Sequence, residues 1–188
     1  MRYIDPNSFA ENPGGICLSD KKFEQVKKLL GSDFISSVYV KPHKKRINEY
    51  LKMGDTQPAL VCSASPLIIA AYSDEMDAVI MLTFPDELAK QYDLSEGTRL
   101  VTSNVYSYIG LSGIAKDIFI GEDYLNRYSD FIPVVSLFLS DDELYLKNRT
   151  EIFSEEIWQR VTEKAQKYSA EHPTLKRNGF FYLLKNRR

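Results

Sequence analysis

A stretch of basic residues around a histidine is the segment of this chain best suited to hold an anion. The run Lys41-Pro42-His43-Lys44-Lys45-Arg46 gathers four cations, and proline is favoured in the first turn of a helix, where its missing N–H group would have had no partner. Free N–H groups at a helix start also attract negative charge. The alternative is that the histidine packs beside Ile47 and that the lysines are solvated. The candidate anion-binding residues are His43, Lys44, Lys45 and Arg46.

Cys17 is a candidate nucleophile because it precedes an expected helix start, where the helix dipole can stabilise a thiolate. Such a cysteine needs a base. The chain offers His43 and His172, which nothing in the sequence brings close to it. We favour a structural role as a small apolar residue for Cys17 and also for Cys62, which lies in an expected buried strand.

The motifs of several enzyme classes are missing from this sequence. None of the nine glycines is followed by lysine, and no G-x-G-x-x-G or G-x-S-x-G pattern occurs, so phosphate-loop, dinucleotide and serine-hydrolase chemistry have no support. Three groups of acidic residues lack the spacing of a calcium-binding loop and are typical of turns and helix starts. We therefore predict no catalytic residue, no metal and no cofactor. The acidic groups are Asp74-Glu75 with Asp77, Glu122-Asp123 and Asp141-Asp142-Glu143.

The net charge of −2 conceals a segregation of charge along the chain. Residues 20–52 carry nine Lys or Arg against four Asp or Glu, while residues 53–143 carry four against fifteen. Acidic turns around a buried sheet would explain the excess of acidic residues in segment 53–143. An acidic surface that attracts a basic partner by long-range steering is the alternative.

The last residues, 176–188, mix cations with aromatic side chains, as surfaces that bind single-stranded nucleic acids do. Their aromatic residues are consecutive, however, and the pI of about 5.8 lacks the basic footprint of such proteins. Nucleic acid is therefore an unfavoured partner. The apolar runs are too short to span a bilayer, and the start of the chain lacks the apolar stretch of a secretory signal. We expect a cytoplasmic chain without a membrane segment, and the oligomeric state is left open.

The helices and strands expected from the sequence indicate an α+β domain. Three apolar segments with short connections favour central strands in an antiparallel sheet, and strands and helices do not alternate regularly. The strand at 98–109 has polar residues on both faces, so we expect it to lie at an edge or beside a cleft. Strands are predicted at 34–40, 59–64, 67–72, 78–84, 98–109, 118–120, 134–139 and 180–184, and helical segments at 20–30, 42–53, 86–92, 122–128 and 154–171.

We therefore predict one globular domain over residues 1–188, with residues 1–18 as an irregular lead-in. The favoured function is a binding or regulatory module that meets a basic protein partner through an acidic surface. Tyr106 or Tyr108 would add to that surface. An inhibitor of a basic enzyme, of the immunity-protein type, is one concrete form. The alternatives are a small hydrolase or transferase acting on an anionic substrate and a weak nucleic-acid binder.

Overall fold

The computed structural model describes residues 10–109, 113–124 and 126–185. They form the α+β fold that the sequence predicts, with one sheet and helices on both of its faces. No described helix combines the length and the apolar character needed to cross a membrane. The helices are α1 (Asp20–Leu30), α2 (Val40–Met53), α3 (Asp86–Gln91), α4 (Glu143–Thr150) and α5 (Glu155–Glu171), and the strands are β1 (Asp55–Ala64), β2 (Leu67–Ser73), β3 (Ala78–Phe84), β4 (Arg99–Tyr108), β5 (Phe119–Ile120), β6 (Tyr128–Val135) and β7 (Arg177–Asn178).

The strands follow the order β5-β3-β2-β1-β4-β6, and neighbours in this path are antiparallel. The predicted hairpin of β2 and β3 is confirmed, since Ser73 pairs with Ala78 across a four-residue turn. The short β7 pairs with β3 in the parallel direction, on the edge of β3 that does not face β2. Because β4 lies between β1 and β6, the expectation that it forms an edge is wrong.

Two hydrophobic clusters hold the sheet in place. The larger one contains the rings of Phe84, Phe138 and Phe180, which pack edge-to-face or tilted with centroids 5.0 to 6.2 Å apart. The smaller one joins the opposite face of β2 and β3 to α5, where Tyr72 packs in the same cluster as Tyr168. The middle strands are therefore covered on both faces, as their unbroken apolar runs predict.

The sequence signals for helix starts are confirmed at α1 and α5. Ser19 accepts a hydrogen bond from the N–H group of Lys22, and Ser154 accepts one from Ile157. Each serine satisfies an N–H group that the first helical turn leaves without a partner. Gly31 ends α1 with a φ of 49°, a value that L side chains rarely adopt.

Three predicted elements are wrong. Residues 34–40 do not form a strand, because this segment makes a 3-10 turn at Ser37–Tyr39 and then enters α2 two residues before Pro42. The segment 180–184 forms a 3-10 turn at Phe181–Leu183 rather than a last strand. The described residues of 122–128 form no helix: Glu122 and Asp123 lie in a turn, Asn126 lies in a bend and β6 begins at Tyr128, while residue 125 lies outside the described residues. Aromatic and β-branched residues are common in any buried segment, so their presence alone does not identify a strand.

Candidate binding site at one end of the sheet

A buried carboxyl group opens strand β1. Asp55 lies before the strand expected at 59–64, but it is the first residue of β1, 5% exposed, and pairs with Asn104 of β4. Its Oδ2 atom accepts a hydrogen bond of 2.6 Å from the amide of Gln57, and its Oδ1 atom accepts one of 3.1 Å from the N–H group of Asn12. These neutral donors hold the carboxyl group in place without neutralising it.

Two more acidic residues lie in the turn between β2 and β3. The N–H group of Asp74 donates to the Gln57 side-chain oxygen at 3.4 Å, so the Gln57 amide bridges Asp55 and the turn. Burial is the main reason that the pKa of Asp55 is raised to about 6; the negative charges of Asp74 and Glu75 add to the increase, and the hydrogen bonds from Gln57 and Asn12 oppose it. The pKa of Glu75 is raised by its own burial and by Asp74, while the charge of Arg127 lowers it.

Polar groups from β2 and β4 complete this end of the sheet. Ser73 donates a hydrogen bond of 3.2 Å to the hydroxyl of Tyr106, and burial raises the pKa of this tyrosine. Asn104, only 1% exposed, donates from Nδ2 to the carbonyl oxygen of Tyr72 at 2.8 Å. Its Oδ1 atom is fully buried and accepts no hydrogen bond within the described residues. An unsatisfied buried carbonyl costs about 1 to 3 kcal/mol.

We call Asp55, Asp74, Glu75 and Asn104 the acceptor cluster. Its groups present oxygen atoms that accept hydrogen bonds, and its three carboxyl groups form no ion pair within 4.0 Å among the residues that the structure describes. The arrangement is thus suited to a group that carries positive charge and several N–H donors.

Asp77, the other buried acid of the described chain, has a counter-ion, and so do the half-buried Asp117 and Asp130. Asp77, whose side chain is 4% exposed, lies 2.9 Å from Lys164 Nζ. Arg177 lies 2.5 Å from Asp117 and 3.0 Å from Asp130, and these bonds tie β7 to β6 and to the loop before β5. The acceptor cluster therefore differs from the pairs that stabilise the fold.

The remaining acidic groups of the sequence analysis also serve local structure. Asp142 caps α4 by accepting a hydrogen bond from Tyr145, and Glu143 lies 3.1 Å from Lys22. Asp123 lies 3.3 Å from Arg160. In the described part of the chain, no three His, Cys, Asp or Glu side chains are grouped so that they could hold a metal ion.

The lead-in closes one side of the acceptor cluster. Residues 10–18 contain no helix, and Pro13 forms an isolated bridge to Asp55. The carbonyl oxygen of Asn12 accepts hydrogen bonds from the N–H group of Thr56 at 2.8 Å and from Arg149 of α4 at 3.1 Å. The conformation of the segment that contacts Asp55 is therefore set by α4 as well as by β1. Residues 1–9 lie outside the described residues.

The predicted anion-binding residues lie together on the first turns of α2. Lys44 Nζ is 2.7 Å from the carboxylate of Asp20, and Arg46 Nη2 is 2.7 Å from Nδ1 of His43. Lys45 is exposed. Three of the four side chains are thus engaged by other side chains of the protein, and anion binding here stays a prediction.

The hydrolase hypothesis requires that Cys17 meet a histidine. Cys17 is exposed and lines a cavity of about 450 Å³ with Tyr145 and the chain before α4. Among the described residues, no hydrogen bond joins it to a histidine: His43 contacts Arg46, and His172 meets the ring of Phe119 in β5 edge-to-face at 6.0 Å. The structure thus does not bring these residues together.

The C-terminal cations are not arranged as one nucleic-acid surface. Arg177 is occupied by its ion pairs, and Lys185 donates a hydrogen bond of 2.6 Å to the carbonyl oxygen of Ser32. Arg187 and Arg188 lie outside the described residues.

A cavity of about 680 Å³ lies between the second half of β1 and α5. Arg99 makes two hydrogen bonds of 2.6 and 2.5 Å to Glu155 and lies 4.9 Å from the ring of Trp158. Cys62 lines the same cavity, and burial raises the pKa of its thiol to about 11. Arg99 and Glu155 pair with each other, and the cavity lining does not indicate a ligand class.

Sequence reasoning did not identify the acceptor cluster as a site, because it assigned Asp74 and Glu75 to a turn. The mixed polarity of the segment 98–109 indicated that its polar residues need partners, and Asn104 and Tyr106 supply cluster contacts from it. Asp55 was missed because Gly54-Asp55 is a common turn sequence. The polar run Asp55-Thr56-Gln57 before an apolar segment was the available signal.

Comparisons with known proteins give no further assignment: no family model, no curated protein and no solved structure matches this chain.

Proposed function

We propose that this protein is a binding module that engages a basic protein partner through the acidic end of its sheet. The observation that carries the proposal is that three carboxyl groups at this end, Asp55, Asp74 and Glu75, form no ion pair within the described chain, while Asp77, the other buried acid there, is paired with Lys164. Unpaired charges of one sign raise the rate of encounter with a partner of the opposite sign and favour its correct orientation.

Aromatic side chains extend this end of the sheet. Strand β4 continues past the residue that pairs with Asp55, and its last residue, Tyr108, is 48% exposed. Its ring lies 5.3 Å from that of Tyr128, so it is held in one orientation. Tyrosine next to acidic groups is typical of protein interfaces, because its ring buries a large area at a small entropic cost.

The test is affinity capture with matched variants. The double variant Asp74→Asn/Glu75→Gln removes the exposed charges of the acceptor cluster. The control Glu87→Gln/Glu96→Gln removes the same charge from the opposite end of β2 and β3, about 20 Å away at about 3.3 Å per residue. Each immobilised protein is incubated with the same lysate in about 50 mM and about 300 mM salt.

We expect wild type and control to retain the same basic protein at low salt. The Asp74→Asn/Glu75→Gln variant and the high-salt samples should lose it, with an affinity about tenfold weaker for the purified partner. Capture that is equal for both double variants, or no basic protein at low salt, would overturn the proposal.

A further inference from the structure

The chain before α1 lies across the end of helix α2. We call residues 12–16 the strap. Three consecutive N–H groups of the strap donate hydrogen bonds of 2.9 to 3.2 Å to carbonyl oxygens at the end of α2: Gly14 to Gly54, Gly15 to Lys52 and Ile16 to Leu51. A helix leaves the carbonyl groups of its last turn without partners of its own. The strap supplies those partners and thereby completes the end of α2.

The strap also covers the start of β1, because β2 does not extend that far. β2 pairs with β1 only from Ala59 onward, and at Asp55 the strap is the neighbour, through the antiparallel bridge of Pro13. The N–H group of Thr56 donates to the carbonyl oxygen of Asn12 at 2.8 Å, and the N–H group of Asn12 donates to the Asp55 carboxyl group at 3.1 Å. The strap therefore closes one side of a carboxyl group that is buried in the sheet.

The strap fits closely between α2 and α4. A Cβ atom at Gly14 would lie 2.2 Å from a backbone carbonyl oxygen of α2, so a larger residue cannot take this place unless the strap moves. From α4, the hydroxyl of Tyr145 donates to the Gly14 carbonyl oxygen at 3.0 Å, and Arg149 donates to the carbonyl oxygens of Asn12 and Pro13. The closed position is thus set by the two helices and by the Asp55 carboxyl group.

The charge on Asp55 is not compensated when the strap is closed. Arg149 donates to the strap and to the hydroxyl of Thr56, and among the described residues no ion pair joins it to Asp55. Closing the strap over an ionised Asp55 therefore removes water from an unpaired negative charge, which is costly. The ionisable groups near Asp55 and the strap are Asp74 and Glu75 of the turn, Tyr106 of β4, Glu11 beside the strap and Arg149 of α4.

We propose that the strap is a pH-sensitive latch, which stays closed while the Asp55 carboxyl group is protonated and opens more readily when this group is ionised. An open strap gives the carboxylate access to water, which favours its charged form. The hydrogen bonds from Gln57 and Asn12 act in the opposite direction, because they are stronger to a carboxylate. Burial is the larger effect, since the pKa of Asp55 is raised to about 6. The latch goes beyond the proposed function, because it needs no partner.

Amide hydrogen exchange of the wild-type chain, followed by NMR, measures the opening of the strap. Each exchange rate is divided by the intrinsic rate of that amide at the same pH, which gives its protection. A difference of about one pKa unit between the closed and open states corresponds to about tenfold in the opening equilibrium. The amides of Gly14, Gly15 and Ile16 should therefore lose about tenfold in protection between about pH 4 and about pH 7.5.

The strap amides should also be less protected than the amides of β2 and β3 at every pH, because the strap opens while the sheet stays folded. Protection of the strap amides that does not change with pH would overturn the latch. Protection equal to that of β2 and β3 throughout would also overturn it, because the strap would then leave only when the whole chain unfolds. This measurement on the wild type does not depend on whether a variant folds.

Two matched variants identify the titrating group. Asp55→Asn should make the protection of the strap amides independent of pH, because asparagine cannot ionise. Asp86→Asn, at the opposite end of the sheet, where Asp86 accepts a hydrogen bond from Leu67, should keep the pH dependence of the wild type. The same pH dependence in both variants would contradict the proposal.

Gly14→Ala gives the reciprocal test, since a strap that controls the ionisation of Asp55 must be controlled by it. The added Cβ atom prevents the closed position, so the pKa of Asp55, measured by carbon-13 NMR, should fall by about one unit or more from its wild-type value of about 6. Gly31→Ala is the control, because its Cβ atom meets nothing within 4 Å and lies at the end of α1. An unchanged pKa in folded Gly14→Ala, or an equal fall in Gly31→Ala, would contradict the latch.

Discussion

Replacing Asp55 by asparagine should stabilise the folded protein at neutral pH. Burial and the nearby acids raise the pKa of Asp55 from 3.8 to about 6. At about 1.4 kcal/mol per pKa unit, the ionised carboxylate therefore destabilises the folded state by about 3 kcal/mol relative to its protonated form. Asparagine cannot ionise, and it has nearly the same shape.

Part of this gain is lost to hydrogen bonding. The Asp55 carboxylate accepts from the side-chain amide of Gln57 and from the N–H group of Asn12. Asparagine has one acceptor oxygen, so one of these bonds is lost, at a cost of about 1 kcal/mol. A net stabilisation of about 1 to 2 kcal/mol remains, which corresponds to about 2 to 8 °C in Tm for a chain of this size.

The pH dependence gives the sign of the effect. The folded state holds the proton on Asp55 up to about pH 6, while the unfolded chain releases it near its ordinary pKa of 3.8. The carboxyl group therefore contributes its full stability below about pH 4 and loses it as the pH rises through about 6. Asp55→Asn should remove this loss, so its advantage is largest above about pH 7 and disappears near about pH 4.

Urea unfolding of the wild type and the variant between about pH 4 and about pH 8 measures this difference. Asp86→Asn is the matched control, since Asp86 lies at the opposite end of the sheet and accepts hydrogen bonds from Leu67 and Ser65. A variant that is less stable than wild type at about pH 7.5, or whose advantage does not depend on pH, would refute the reasoning about Asp55.

Two further predictions concern other parts of the structure. Lys164→Met should destabilise the protein by about 2 to 4 kcal/mol in urea unfolding, because the buried carboxylate of Asp77 then keeps only the more distant Arg160 as a counter-ion. A loss of stability below about 0.5 kcal/mol would contradict this prediction. Thiol labelling at about pH 8 should modify Cys17 at least about tenfold faster than Cys62. Cys17 is exposed, whereas burial raises the pKa of the Cys62 thiol to about 11. Equal labelling rates in single-cysteine variants would contradict the burial of Cys62.

The elements that could be predicted from the sequence are those with a strong local signal. α1 and α5 have capping serines and apolar residues at helical spacing, and β3 has the bounds expected from its apolar run, Ala78–Phe84. The failures lie where local preference and tertiary contacts disagree. Residues 34–40 have the composition of a strand, but no neighbouring strand pairs with them as a ladder, and Phe34 forms only an isolated bridge to Leu184.

The acceptor cluster could be predicted only in part, because it is assembled from distant positions. Asp55 and Asn104 become neighbours through the register of β1 and β4, and Gln57 connects them to the turn at Asp74. A sequence states which residues are acidic but not which of them have counter-ions. Asp77 resembles Asp74 in the sequence, yet it is paired with a lysine 87 positions away.

The ionisation of Asp55 tests the account of this end of the sheet most directly, and carbon-13 NMR of its side-chain carboxyl measures it. The account predicts a pKa of about 6 in the free protein, because burial and the neighbouring acids disfavour the charged carboxylate. An ordinary pKa near 3.8 would contradict the account.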